Sequence, residues 1–361
     1  MGKLSTLRRD VRNAVHDRYL AWKNARRTRH LQPPDSAGAV RAMEDRFIAL
    51  IRILGNDLRP RHGARQTWEN IQFIVAREPL DRRYEKSFVL NRIFDQNRER
   101  RIRDYLDGHG YAYDVIPFDA AEYGRLGWDE DYFGSLGFFA SPAFRAVGGD
   151  QKDTARILAC APRIRYAMNV NAARNVAIRR GLSRAAWVLP WDGACVMGAE
   201  SLDRLARSCS AAAEVPYVIV PMHRLARTGE FDGPVGPLLR DEEPQLGFSR
   251  HARNVFDESW PYGVRDKASL LKEIGVPGPW NYWRRARWIP EKQRPNPDRR
   301  HFVFTHAGAL RLPAGMRALD AAGRRKRRYL ARNEAILTTI AELDRRYGRT
   351  DTPAWRLVMG R

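Results

Sequence analysis

The feature that most constrains this chain is an alternation of short apolar runs with stretches of helical period. RFIALIRILG (46–55) is rich in β-formers and stops at Gly55-Asn56-Asp57, the signature of a strand entering a loop. Helical periodicity follows from Gln66 to Arg77, then a second strand over SFVLNRI (87–93). An arginine-rich helix from Gln96 to Asp107 closes at Gly108, and a third strand spans Ala112 to Phe118. Strands alternating with helices of this length imply βαβ units. The expected class is α/β: a Rossmann-type mixed, mostly parallel sheet flanked by helices, with helical extensions at both ends.

Residues 124–152 are rich in Gly and Phe without clear period, and read as a long loop or insertion. Helices are expected near 153–160 and 170–181, a strand from Ala185 to Pro190, a helix over 200–213 and a strand from Tyr217 to Met222. The stretch 224–263 is loop-like apart from a strand at Gln245 to Arg250, and Lys267 to Ile274 is a helix stopped by Gly275. HFVFTHAGALRL (301–312) reads as one last strand, and the cluster Arg324 to Arg328 opens a helix reaching about Tyr347. At the other end, Leu4, Leu7, Val11, Val15, Tyr19 and Trp22 recur at helical spacing among arginines, up to the paired prolines of LQPPDSAG. The expected organisation is a basic amphipathic extension (1–36), a main domain (46–313) and a basic C-terminal helix (314–361).

Composition narrows the function classes. The 361 residues are 43% apolar, enough for a sizeable core, and no run of 18 apolar residues suggests a membrane span. The N-terminus lacks the apolar core of a secretory signal, and Cys160, Cys195 and Cys209 follow neither metal-ligand spacing nor a disulfide framework. A cytoplasmic protein is expected. The formal charge of +22, mostly arginine, calls for an anionic partner: nucleic acid, a membrane surface, or a phosphorylated or acidic substrate. No helix-turn-helix, zinc-finger or RNA-recognition signature is present, so nucleic acid is the weaker class. The N-terminal helix is suited to lying on an anionic membrane, which would place the protein at its inner face, and equally to packing on the main domain or a second subunit.

In open α/β sheets ligands bind outside the carboxyl ends of strands. Three such ends carry polar groups: Gly55-Asn56-Asp57, Trp191-Asp192-Gly193 and Thr305-His306. Asp-Gly is a common turn dipeptide, but a carboxylate closing an apolar strand also suits a divalent ion or a ribose. Upstream, Asn171, Arg174 and Asn175 share one helical face near an N-terminus, a favourable place for a diphosphate. Arg59, Arg61 and Arg65 follow the first strand directly. NYWRRARW (281–288) and GRRKRRYLARN (323–333) are further basic clusters, suited to stacking on bases or sugars and to polyanionic surfaces respectively.

The run NAARNVAIRRGLSRAAWVLPWDG (171–193) resembles the central segment of GT-A glycosyltransferases, in which an RNxA helix precedes a strand ending in the acidic nucleotide-sugar motif. IRILGND (51–57) sits where that family binds the nucleotide base, and FSRHARNVFDESWPYGVRDKASLL (248–271) resembles the segment leading into the helix that bears the catalytic base. The likeness spans about residues 46–313. It implies transfer of a sugar from a nucleoside-diphosphate donor to a glycan or capsule-type acceptor, an anionic one given the charge. Donor contacts would come from Arg52, Asn56, Asp57, Arg65, Asn171, Arg174, Asn175, Trp191 and Asp192. Asp266 takes the base position, with Glu243 as second candidate, and Mg²⁺ or Mn²⁺ would sit at Asp192 with His306 as an added ligand. Trp191 is equally suited to the core, and His306 to a structural role.

The chain departs from that pattern. Ala194 stands where Asp-x-Asp has its second carboxylate, and the Gln-x-x-Arg-Trp motif of processive enzymes is absent. A catalytically inert scaffold of the same fold, and a basic nucleic-acid-binding protein, are the alternative readings.

Overall fold

The computed structural model describes residues 47–232, 243–264, 266–278, 299–313 and 321–360, and within these the side chains of all but residues 232, 266 and 321–328. The expected amphipathic helix at 3–30 and the cluster at 281–288 lie outside the described residues. The elements begin as the alternation predicts: β1 (Ile48–Leu54), α1 (Gln66–Arg77), β2 (Tyr84–Asn91), α2 (Gln96–Gly108) and β3 (Ala112–Ile116). The helices α3 (Ala120–Arg125), α4 (Pro142–Arg145), α5 (Gly149–Ala159) and α6 (Ala161–Ala167) follow, with a single 3-10 helix at Leu136–Ala140 inside the expected loop. Next come α7 (Val170–Leu182), β4 (Trp187–Asp192), β5 (Cys195–Val196), α8 (Ala199–Ala211), β6 (Tyr217–Val220), β7 (Met222–Arg224) and β8 (Gln245–Ser249). The chain continues through α9 (Asp266–Glu273), β9 (Phe302–Phe304), β10 (Ala309–Arg311), α10 (Ala321–Arg346) and α11 (Pro353–Met359).

Seven strands form one mostly parallel sheet in the order β3-β2-β1-β4-β8-β6-β9, with β8 antiparallel to both neighbours. A second sheet, β5-β10-β7, lies beyond the end of β4. The chain builds outward from β1 to β3, then returns to lay β4 on the other side of β1. That reversal is a topological switch point, where the crossovers leave on opposite faces and a crevice opens at the carboxyl ends of the two strands.

Every residue of β1 is buried, as expected of a central parallel strand covered on both faces. Ile48 and Leu50 pack with Trp187, Leu189 and Trp191 against Leu202, Leu205 and Cys209 of α8. Ala49, Ile51 and Ile53 pack with Val188 against Ala173 and Ala177 of α7. Successive residues therefore serve opposite cores. The pairing of β4 with β8 covers only Trp187↔Ser249 and Val188↔Phe248, so Pro190, which has no N–H to donate, lies past the end of that ladder.

Three expectations are corrected. Residues 124–152 are not all loop: Leu136–Ala140 and Pro142–Arg145 are short helical turns whose aromatics, Phe139 and Phe144, are buried, and elements of four or five residues are too short to show a helical period. HFVFTHAGALRL is two strands in two sheets, because β9 pairs with β6 while β10 crosses to β5 and β7. The C-terminal segment is no appendage: Ile336, Ile340 and Leu343 of α10 and Trp355 and Val358 of α11 share one core with Tyr123, Leu158 and Ile164. Among the described residues, no helix is long and apolar enough to cross a membrane.

Candidate functional site

Strand parity places the key carboxylate. Trp191 points to the α8 core, so Asp192, one residue on, points to the α7 side at the mouth of the crevice. Gly193 follows because the chain runs hard against β1 there. Its N–H donates to Ile53 O at 3.1 Å, and a Cβ at this position would lie 2.7 Å from that same oxygen. The dipeptide Asp192-Gly193 is thus both a turn and the end of a strand that delivers a carboxylate.

Asp192 is ringed by cations. Arg174 Nη2 meets Oδ1 at 2.6 Å, while Oδ2 faces Arg311 Nη1 at 3.5 Å and Lys267 Nζ at 3.8 Å. Gln245 Nε2 donates to Oδ2 at 3.4 Å. The side chain is 17% exposed. Burial raises its pKa, but the charges of Lys267, Arg174 and Arg311 outweigh that and hold it well below its ordinary 3.8. Three elements far apart in the chain supply these groups: α7, the first turn of α9, and β10 through its register Arg311↔Cys195 beside β5.

The polar stripe of α7 does more than meet Asp192. Asn171 Nδ2 donates to Asp257 O at 2.8 Å, and its Oδ1 accepts from Arg174 Nη1 at 3.0 Å. Asn175 accepts from Phe256 N–H at 3.1 Å and donates to Phe256 O and Glu258 Oε1, each at 2.8 Å. The stripe therefore stitches the 256–258 segment over the helix and aims Arg174 at the strand end. On its outer side, Lys267 also pairs with Glu243 Oε1 at 3.3 Å; Lys267 is 3% exposed and Glu243 38%.

The loop after β1 contributes Arg61 and His62. Arg61 Nη1 donates to Tyr262 Oη at 2.5 Å. His62 Nδ1 accepts from Leu58 N–H at 3.1 Å, which leaves the proton on Nε2. Burial first, then the charges of Arg61 and Arg311, push its pKa from 6.5 to about 4, so the ring is neutral at pH 7.

The structure brings Asn171, Arg174, Asn175, Asp192 and Glu243 together and gives other expected contacts different work. Arg52, on the Trp191 face, is 1% exposed; it pairs with Glu78 at 2.5 Å and donates to Cys195 O, so its guanidinium is engaged within the protein. Trp191 is a core residue whose Nε1 donates to Leu246 O at 3.2 Å. Asn56 bridges to Arg92 O and Phe94 N. Asp57 accepts from the Thr67 N–H and hydroxyl in the first turn of α1, and pairs with Arg98 at 3.3 Å. Arg65 is a surface cation near Glu69 at 3.8 Å. Asp266 opens α9, and its side chain lies outside the description.

The donor set at Asp192 does not fit a divalent cation. Its oxygens face two guanidinium groups and an ammonium, His306 is exposed beyond β9, and Ala194 packs toward Val196, Leu310 and Leu312. Among the described residues, no group of three His, Cys, Asp or Glu side chains is placed to hold a metal. Sequence reasoning missed Lys267, Arg311 and Gln245. Lys267 stands one residue after the position the family likeness singled out; Arg311 and Gln245 sit within strands and carry no local signal.

No family model matches the sequence, and no curated protein matches it. Among solved structures, two crystal structures of S. aureus TarS are similar. One, of residues 1–349, aligns at a TM-score of 0.29 and 11% identity over 75% of this chain and 58% of that chain. The other aligns at a TM-score of 0.29 and 10% identity over 75% of this chain and 35% of that chain. The chain thus spans little more than half of the shorter TarS chain and about a third of the longer. A likeness at that score identifies neither a shared site nor a shared substrate.

Proposed function

We propose that this chain is a glycosyltransferase that takes a sugar from a nucleoside-diphosphate donor. One observation carries the reading: Arg174, Lys267 and Arg311 converge on Asp192 at the carboxyl end of β4, beside the switch point of the sheet. Guanidinium and ammonium groups at such a crevice favour a diphosphate through charge-assisted hydrogen bonds. The segment resemblance over 171–193 names the chemistry that uses such a site.

In the reaction, the oxygen of an acceptor hydroxyl bonds to the anomeric carbon. The bond from that carbon to the diphosphate oxygen breaks, its electron pair leaves with the phosphate, and the hydroxyl proton passes to a carboxylate. Cations beside the leaving oxygen stabilise the charge that develops there. Glu243, at the outer edge of the cluster, and Asp266, at the start of α9, are the candidate bases; general-base help is worth roughly 10²- to 10⁴-fold. An anionic glycan acceptor, and contact with an anionic membrane surface, accord with the +22 charge.

Incubation with a panel of nucleoside-diphosphate sugars, with release of nucleoside diphosphate as readout, tests the proposal. Donor hydrolysis or transfer that falls at least tenfold in Glu243→Gln or Asp266→Asn is the expected outcome. A protein that neither binds nor turns over any donor would sink it. The scaffold reading draws on the engagement of both Asp192 oxygens by protein groups, and binding without turnover across acceptors would favour it.

A further inference from the structure

Granting the glycosyltransferase reading, we infer that Lys267 and Arg311, with Arg174, take over the charge neutralisation that a divalent cation would otherwise supply, so that donor binding is independent of metal. The starting point is the crowding at Asp192. Oδ1 is held by Arg174 at 2.6 Å, and Oδ2 is approached by Arg311, Lys267 and Gln245 at 3.5, 3.8 and 3.4 Å. A Mg²⁺ or Ca²⁺-like ion needs oxygen ligands at about 2.0–2.6 Å and gains from several of them. Here it would have one carboxylate, and it would enter a shell already filled by positive groups that repel it at close range.

Lys267 supplies a second, independent pointer. Its side chain is 3% exposed and Nζ has ion-pair neighbours at 3.3 and 3.8 Å, yet among the described residues Nζ makes no hydrogen bond. An ammonium has three N–H donors, and burying it with none satisfied is costly unless a ligand supplies acceptors. Phosphate oxygens are such acceptors, and the crevice at the ends of β1 and β4 is where they would arrive. Lys267 and Arg311 come from α9 and β10, so the cluster exists only because β10 aligns Arg311 with Cys195 while α9 starts beside β4.

Position 194 agrees. Ala194 packs against the apolar cluster that holds Val196, Leu310 and Leu312, so the alanine is consistent with a site organised without an ion. The cations act on the leaving group in the step described above: as the carbon–oxygen bond breaks, the departing oxygen gains charge beside Lys267 and Arg311. No co-reactant is required.

Calorimetry on the full chain with UDP and with GDP, once in EDTA and once in excess Mn²⁺, tests this without any substitution. The expected result is an affinity for at least one nucleotide that is the same in both buffers within about threefold. Lys267→Met and Arg311→Met, with folding checked by circular dichroism, are each expected to weaken that affinity roughly 10- to 100-fold, the value of one charged hydrogen bond. Arg207→Ala, on the exposed side of α8, is expected to leave it unchanged. Binding seen only with Mn²⁺ and abolished by EDTA would overturn the inference while leaving the glycosyltransferase reading in place. Absence of binding to any nucleoside diphosphate, with or without metal, would remove the reading on which it rests. If either Met variant fails to fold, the EDTA comparison on the unsubstituted protein decides alone.

Discussion

At the scale of single residues, Asp192 is held by an unusual concentration of opposite charge. Removing it in Asp192→Ala would strand Arg174, Lys267 and Arg311 against one another. Breaking a buried ion pair from one side costs about 3–5 kcal/mol, and a loss of that order is expected in urea unfolding. His62 gives a separate pH signature. Its pKa falls from 6.5 in the unfolded chain to about 4 in the fold, so between those values the unfolded state binds more protons. The contribution of a neutral His62 is complete above pH 6.5 and is lost as the pH drops toward 4. Melting curves should therefore decline across that window, and His62→Gln should flatten the decline. The depressed pKa of Asp192 acts in a lower window, below its ordinary 3.8, so the two effects separate. Asp192 was legible in the sequence because a carboxylate closing an apolar run stands out. Lys267 and Arg311 were not, since a lone cation in a chain of this composition looks like any surface residue.

At the scale of elements, β4 shows why the face of a residue was hard to read. An amphipathic strand alternates, but WVLPWD is buried on both sides through Trp191, so its pattern does not say whether Trp191 or Asp192 faces the crevice. Packing against α7 and α8 settles it. Gly193 then locks the strand end to β1. A methyl in Gly193→Ala would meet the Ile53 carbonyl, a backbone atom that cannot swing aside, so about 1–3 kcal/mol of destabilisation is expected in a thermal melt. Helix α7 was the reverse case. The spacing of Asn171, Arg174 and Asn175 correctly marks one face, but their partners in the 256–258 segment have no local sequence signature. Asn175→Ala leaves the N–H and carbonyl of Phe256 without their side-chain partner at roughly 1–3 kcal/mol. Faster amide exchange at 255–258 would report it, and unchanged exchange there would mean that the stitch is not what holds the segment.

At the scale of the whole molecule, the C-terminal helices complete the fold around a buried carboxylate. Asp344 accepts from Tyr123 Oη at 2.9 Å and Trp355 Nε1 at 3.0 Å, and pairs with Arg163 at 3.3 Å. These contacts join α10 and α11 to α3 and α6 across the length of the chain. Asp344→Ala leaves Arg163 buried without its partner, so a loss of about 3–5 kcal/mol is expected, with protection falling together in α5, α6 and α11. Exchange confined to α10 would contradict a shared core. Net charge was plain from composition, and it bears on partners rather than on fold.

The sequence by itself determined the α/β class, most of its strands and helices, the carboxylate at the end of β4 and the polar face of α7. These are local properties, written in the periods of two and 3.6 by which strands and helices bury apolar side chains. Only the tertiary structure decided that Arg52 and Trp191 belong to the core, that the last strand divides between two sheets, and that Lys267 and Arg311 meet Asp192. Those outcomes depend on register and packing between segments distant in the chain, and nothing in a local pattern encodes which distant residue will stand within a few ångströms.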